Sequence, residues 1–223
     1  MKLTRTKAFT LAETLITLGI IGVVAAITIP NLITNYKAKQ LRSQFLRAYS
    51  LTQQAFKLME EDDVSLDPST YTTQNFSGAF RRYFTGSMQC HGRHEKPCYH
   101  MNENASDTYK TYNKAANFAS YLFDDGQFAL ADGTLFLIEN PSSSTDIFIT
   151  VDINGTANKP NRAGYDLFTF QFTDGKLNTM GSKGTRYIGE PYCNENSTSK
   201  LNGISCAHEA KENPDYFKRV LRK

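Results

Sequence analysis

Tryptophan is absent from the 223-residue chain, and cysteine, histidine and proline are scarce, at four, four and seven residues. Four cysteines are too few for a disulfide-built scaffold and enough for two bridges. No charge of one sign dominates. The formal net charge is +3, and removing Lys2, Arg5 and Lys7 from the 25 basic residues leaves as many as the 22 acidic ones. Nucleic-acid binding through bulk charge therefore has no support, and no nucleic-acid partner is expected. A mean hydropathy of -0.45 excludes a multi-span membrane protein. The sequence shows no Gly-rich phosphate loop, no nucleophile elbow, no internal repeat and no low-complexity tract. Three of the histidines, His91, His94 and His100, fall in one loop, the fourth is His208, and no side chain stands out as nucleophile or base. No catalytic residue is assigned, and the chain is read as a non-enzyme. With 40% hydrophobic and 21% charged residues it is nonetheless a folding sequence, long enough for one domain or one domain with an appendage.

The single long apolar run lies at the N-terminus. After the basic segment MKLTRTKA, the chain reads FTLAETLITLGIIGVVAAITIPNLI from Phe9 to Ile33, with Glu13 its lone charge. That is about the 20 residues a membrane-crossing helix needs. A secretory signal peptide has a similar basic start and apolar core, and Ala25-Ala26 imitates its cleavage site. Two features set this segment apart: a carboxylate near the start of the apolar stretch, and a further long amphipathic helix directly after Pro30. An acid in a bilayer segment costs several kcal/mol unless paired, so Glu13 is a functional residue by default. A cut before Phe9 would create an ammonium about one helical turn from Glu13. In a bundle of such helices, the ammonium of one subunit would neutralise the Glu13 of its neighbour in one register.

Lys7-Ala8-Phe9-Thr10-Leu11-Ala12-Glu13, the apolar helix and Pro30 together resemble the class III leader and N-terminal helix of type IV pilins and type II secretion pseudopilins. The resemblance covers about 25 residues. It implies a leader over residues 1–8, cut between Ala8 and Phe9 by prepilin peptidase, methylation of Phe9, and Glu13 as the assembly acid. The family usually has Gly before the cut; Ala8 is sterically the mildest replacement, so cleavage is expected to be retained. The implied partners are prepilin peptidase, identical or related subunits in a filament, the inner (cytoplasmic) membrane and an assembly platform. The implied placement is single-pass, with the head outside the cytoplasm and the filament periplasmic or extracellular. Basic residues flank the apolar stretch on both sides and do not fix that orientation by themselves.

Beyond Pro30, apolar residues recur every three or four positions at Leu32, Ile33, Tyr36, Leu41, Phe45, Tyr49, Phe56 and Met59, one face of a helix. A single helix over residues 9–62 would be about 80 Å long. Its membrane half spans about 9–33, and Pro30 should kink or locally open it. The acidic run Glu60-Glu61-Asp62-Asp63 opposes the helix dipole and marks its end. Residues 63–223 read as a globular head. Asp125-Gly126, Asp132-Gly133, Asn154-Gly155 and Asp174-Gly175 separate strand-like runs at Gln127–Ala131, Thr134–Glu139, Asp146–Asp152 and Asp166–Thr173. Short helices are expected over Asn75–Thr85 and Tyr109–Tyr121. The fold class is α+β, a long N-terminal helix packed on a small antiparallel sheet, pilin-like in layout.

The region from Val151 to Gly175 is similar to the strand–loop–strand of pseudopilin heads, which holds calcium in several major pseudopilins. Asp152, Asn154 and Asp166 would be the oxygen ligands here. The loop is short of carboxylates, and Asx-type turns organising a hairpin explain the same residues; no cofactor is expected otherwise. Cys90 through His100 contains two thiols and three imidazoles, but the thiol spacing matches no standard zinc finger. Outside the cytoplasm, local disulfides Cys90–Cys98 and Cys193–Cys206 are the simpler account, with the other pairings, metal ligation and free thiols as alternatives. The function that follows is a structural subunit of a type IV pilus-like filament or type II secretion pseudopilus, supporting secretion, adhesion or motility. The competing function is a single-pass anchored extracellular protein whose head binds a ligand or glycan.

Overall fold

The computed structural model describes residues 10–71, 75–90, 98, 108–140 and 146–222. Helix α1 runs unbroken over Leu11–Glu61 with Pro30 inside it. Thr10 is its N-cap, two positions later than a helix beginning at Phe9 would have. Pro30 lacks the N–H that would bond the Ala26 carbonyl, yet no helical residue is lost on either side. The helix stops at the acidic run, where the Asp62 N–H bonds the Leu58 carbonyl at 2.9 Å.

The head carries α2 (Asn75–Arg81) and six strands: β1 (Met88–Gln89), β2 (Gln127–Ala129), β3 (Leu135–Glu139), β4 (Ile147–Asp152), β5 (Leu167–Thr173) and β6 (Lys176–Thr179). Two C-terminal helices follow, α3 (Cys206–Glu212) and α4 (Tyr216–Leu221). The strands form an antiparallel meander in which each pairs with the next in sequence. The β5–β6 turn is Asp174-Gly175, both in the left-handed region at φ 50° and 72°, as a two-residue hairpin of that composition requires. Gly155 is fixed twice over, by a φ of 77° and because a Cβ there would lie 2.3 Å from the Gly133 carbonyl oxygen.

Both faces of the sheet are covered, which is why its strands read as nearly continuous apolar runs. Phe136, Ile138, Ile147, Ile149, Val151, Phe168, Phe170 and Phe172 join the core under α1. The alternate residues Leu135, Leu137, Phe148 and Leu167 pack with Tyr109, Phe118, Phe123, Met180 and Ile204 on the other side. A polar pair sits among them: Thr150 and Thr169 are opposite each other in register and share a 2.9 Å hydroxyl bond.

From Ala38 onward α1 buries one stripe: Ala38, Leu41, Phe45, Ala48, Thr52, Ala55, Phe56 and Met59. Phe45 lies 4.8 Å from Phe168, 5.8 Å from Phe170 and 6.0 Å from Phe217, ring centre to ring centre. Phe56 stacks on Phe172 at 4.2 Å. Buried Thr52 returns its hydroxyl to the Ala48 carbonyl at 2.8 Å. The C-terminal helices clamp the stem from the other side of Phe45. Arg42 donates to the carbonyls of Ala210 (3.3 Å) and Asn213 (3.1 Å), capping the end of α3.

Two expected helices are corrected. Residues 109–121 form no α-helix: Thr111 and Asn113 draw the chain into a turn, with the Thr111 N–H on the Ala116 carbonyl (2.9 Å) and the Ala115 N–H on Asn113 Oδ1 (3.2 Å). Side chains of these types compete with helical bonding, and only a 3₁₀ turn at Ser120–Leu122 remains. The helix expected over Asn75–Thr85 ends at Arg81.

Phe45→Ala should cost about 3–5 kcal/mol in chemical denaturation of the detergent-solubilised chain, because it empties a fully enclosed aromatic site. Val24→Ala, on the uncovered half of the same helix, should change head stability by less than about 0.5 kcal/mol.

Candidate functional site

The N-terminal half of α1 makes no core contact. No residue from Leu11 to Lys37 is buried, and Leu11, Leu15, Ile16, Ile21, Ile27 and Leu32 are each more than half exposed. The helix is long and apolar enough to span a membrane. Its threonine hydroxyls are satisfied within the chain, as suits a lipid-facing helix. Thr14, Thr17, Thr28 and Thr34 each return a hydroxyl to the carbonyl four residues back, at 3.2, 2.7, 2.8 and 2.9 Å.

Glu13 is held at the helix start. Its Oε2 accepts from the Thr10 N–H (2.9 Å) and the Thr10 hydroxyl (2.8 Å), while Thr10 Oγ1 accepts from the Glu13 N–H at 3.3 Å. This is a capping box, in which two orphan N–H groups are satisfied reciprocally. The Thr-x-x-Glu spacing that signals it is present at residues 10–13. Reading that segment for processing and charge alone leaves Thr10 without a role. Ala8 and Phe9 lie outside the described residues, as do His91, His94 and His100.

Both expected disulfides are formed, Cys90–Cys98 and Cys193–Cys206, with Cα separations of 5.7 and 5.2 Å. The second ties the segment after β6 to the first residue of α3.

The head brings Asp152 and Asp166 together in its interior, both fully buried. Asp152 Oδ2 accepts from the Tyr109 hydroxyl (2.8 Å), and Oδ1 accepts from the N–H groups of Asn154 (3.3 Å) and Gly155 (2.8 Å). Asp166 accepts from the N–H groups of Asn161 (2.9 Å) and Arg162 (2.6 Å), one on each oxygen. The four carboxylate oxygens are thus all engaged by donors of the chain, the arrangement of Asx-type turns rather than of an open cation site. The side-chain oxygens of Asn154 and Asn161 are buried without hydrogen-bond partners. Burial, then the charge of Asp166, pushes Asp152 up to about 8. Burial raises Asp166 as well, opposed by the Arg162 and Asn161 N–H groups.

A second acidic group joins the adjacent Asp124 and Asp125 to Glu139, which sequence spacing does not place beside them. The β2–β3 hairpin places carboxylate oxygens of Asp124, Asp125 and Glu139 within 4.8 Å of one another. Asp125 Oδ2 accepts the Asn140 N–H at 2.7 Å. Burial first, then a hydrogen bond with Asp124 and the charges of Asp125 and Asp124, push Glu139 up to about 9. The cluster therefore keeps a proton at neutral pH, as crowded carboxylates do.

Comparison of the chain with protein-family models, curated proteins and solved structures finds no match.

A carboxyl with a raised folded pKa holds its proton in the native state after the unfolded chain has released it, so native stability falls as pH rises from about 4 toward the folded value. Asp152→Asn removes that titration. In thermal melts with EDTA present, the advantage of the variant over the parent should grow steadily between pH 5 and pH 8 and level off above that. A constant difference across that range would show that Asp152 is ionised throughout.

Proposed function

We propose that this chain is a filament subunit of the type IV pilin or type II secretion pseudopilin kind. It is inserted in the membrane by residues of about 9–33, cut between Ala8 and Phe9, and polymerised through its N-terminal helix. The observation that carries this reading is the division of α1. One continuous helix is entirely uncovered and apolar over its first half and locked into the head by Phe45, Phe56 and Arg42 over its second. Such an element is stable only if lipid or the same segment of neighbouring subunits covers it, and both media suit the same side chains. Work would be done by the polymer, in secretion, adhesion or motility, with no chemistry on the subunit. The partners are prepilin peptidase, copies or relatives of this chain and the assembly platform in the inner membrane.

Within the filament, the ammonium of a processed Phe9 would meet the Glu13 carboxylate of a neighbour. A buried acid left without that partner is strongly destabilising. Glu13→Ala should insert normally, while filament yield seen by electron microscopy drops by about an order of magnitude or more. Wild-type filament from that variant would remove the role given to Glu13. Mass spectrometry of the mature N-terminus tests the processing step. N-methylated Phe9 is expected; an intact Met1 or a cut near Ala26 would instead favour a membrane-anchored extracellular binding protein.

A further inference from the structure

A groove of about 380 Å³ opens where the stem leaves its apolar half and meets the head. Lys37, Gln40 and Gln44 line it from α1, and Asn154, Asn158 and Lys159 from the β4–β5 connection. Asp132 also reaches the groove, but it is ion-paired with Arg47. Among the described residues, neither Lys37 nor Lys159 has a carboxylate within ion-pair distance. The groove therefore presents two uncompensated cations and the amides of Gln40 and Gln44, while Asn154 and Asn158 bond each other's backbone carbonyls. The Lys37 ammonium lies 6.0 Å from the Tyr165 ring, so it is turned toward the head.

The position of the groove along α1 identifies its occupant. Leu11 to Ile33 spans about 33 Å as a helix, matching a hydrocarbon core of about 30 Å. Tyr36, 71% exposed, then falls where aromatic residues anchor at the membrane–water boundary. Lys37 lies about 6 Å past Ile33 along the axis and Gln44 about 16 Å past it. The headgroup layer is about 5–8 Å thick on each side. The mouth of the groove is thus at phosphate depth. We propose that it binds the headgroup of an anionic phospholipid, with Lys37 and Lys159 on the phosphate and the Gln40 amide on the remaining polar atoms. The lipid would hold the head at a fixed height and rotation on the membrane before assembly. This rests on the membrane-spanning reading of α1.

The test uses the full chain in nanodiscs of phosphatidylcholine, with or without phosphatidylglycerol, and hydrogen exchange of peptides covering residues 154–159. Insertion is read separately by protease protection. Slower exchange in the phosphatidylglycerol discs is expected, the difference shrinking by about fivefold for each of Lys37→Gln and Lys159→Gln. Lys183→Gln, an exposed lysine away from the groove, should leave it unchanged. Failure to insert in either disc would overturn the membrane reading itself. Insertion with equal exchange in both discs, or a difference that survives the double Lys37/Lys159 variant, would overturn the lipid site alone. Equal protection in phosphatidylcholine discs on adding inorganic phosphate would assign the groove to a soluble anion and overturn the lipid proposal.

Discussion

The constraint on which the molecule depends is that one half of a 51-residue helix has no protein to cover it. Each fully exposed Leu, Ile or Val costs about 1.5–3 kcal/mol relative to burial, and from Leu11 to Ile33 such residues occur at nearly every turn. Amphipathicity cannot resolve this, because the segment is apolar all round. What suits it to a place outside water is that four threonine hydroxyls are bonded back to the helix and one oxygen of Glu13 is bonded to Thr10. The second half obeys the opposite rule. Its apolar residues are confined to one stripe, and that stripe is consumed by the head.

Force applied to such a stem would reach the head through few contacts, and these are well distributed. Phe45 is enclosed by residues from β5 and α4, Phe56 is stacked on β5 and packed near α2, and Arg42 is bonded to the end of α3. The last residues of the chain therefore brace the first helix, and the Cys193–Cys206 bridge fastens that brace to the segment before it. A closed loop of this length typically contributes about 2–4 kcal/mol, which here stabilises the part of the head that grips the stem.

Local signals found the elements that local chemistry decides. The Asp-Gly and Asn-Gly turns bounded β2 to β5 within about two residues, and the three-to-four spacing of Leu41, Phe45 and Ala48 found the buried stripe of α1. The α3 and α4 helices are legible in the helical spacing of Cys206, Ala207, Ala210, Tyr216, Phe217 and Val220, a signal that the reading of Cys206 as a disulfide partner alone does not use. Strand β6 was hidden because Lys-Leu-Asn-Thr has one apolar residue, and only pairing with β5 makes it a strand. At Tyr109–Tyr121 the expected helix is overruled by Thr111 and Asn113, which bond the backbone themselves. The acidic cluster of Asp124, Asp125 and Glu139 was illegible for a different reason. Its members meet only through hairpin register, and no spacing in a single strand encodes that.

Glu13 has two competing uses, and their relative strength governs how assembly would proceed. In the single chain, the carboxylate closes a capping box whose contribution is about 1 kcal/mol. In the proposed filament, it would face an ammonium away from water, where removing one partner of such a pair costs about 3–5 kcal/mol. A neighbour's ammonium therefore need not break the box to win the carboxylate. Oε2 takes both bonds from Thr10, which leaves Oε1 for the incoming cation. The cap then does positioning work: it holds Glu13 against its own helix start, so the second oxygen is presented in one direction before the neighbour arrives. Pre-ordering of this kind reduces the side-chain entropy lost on pairing. It would also make Thr10, with no charge of its own, part of the register that Glu13 is proposed to set.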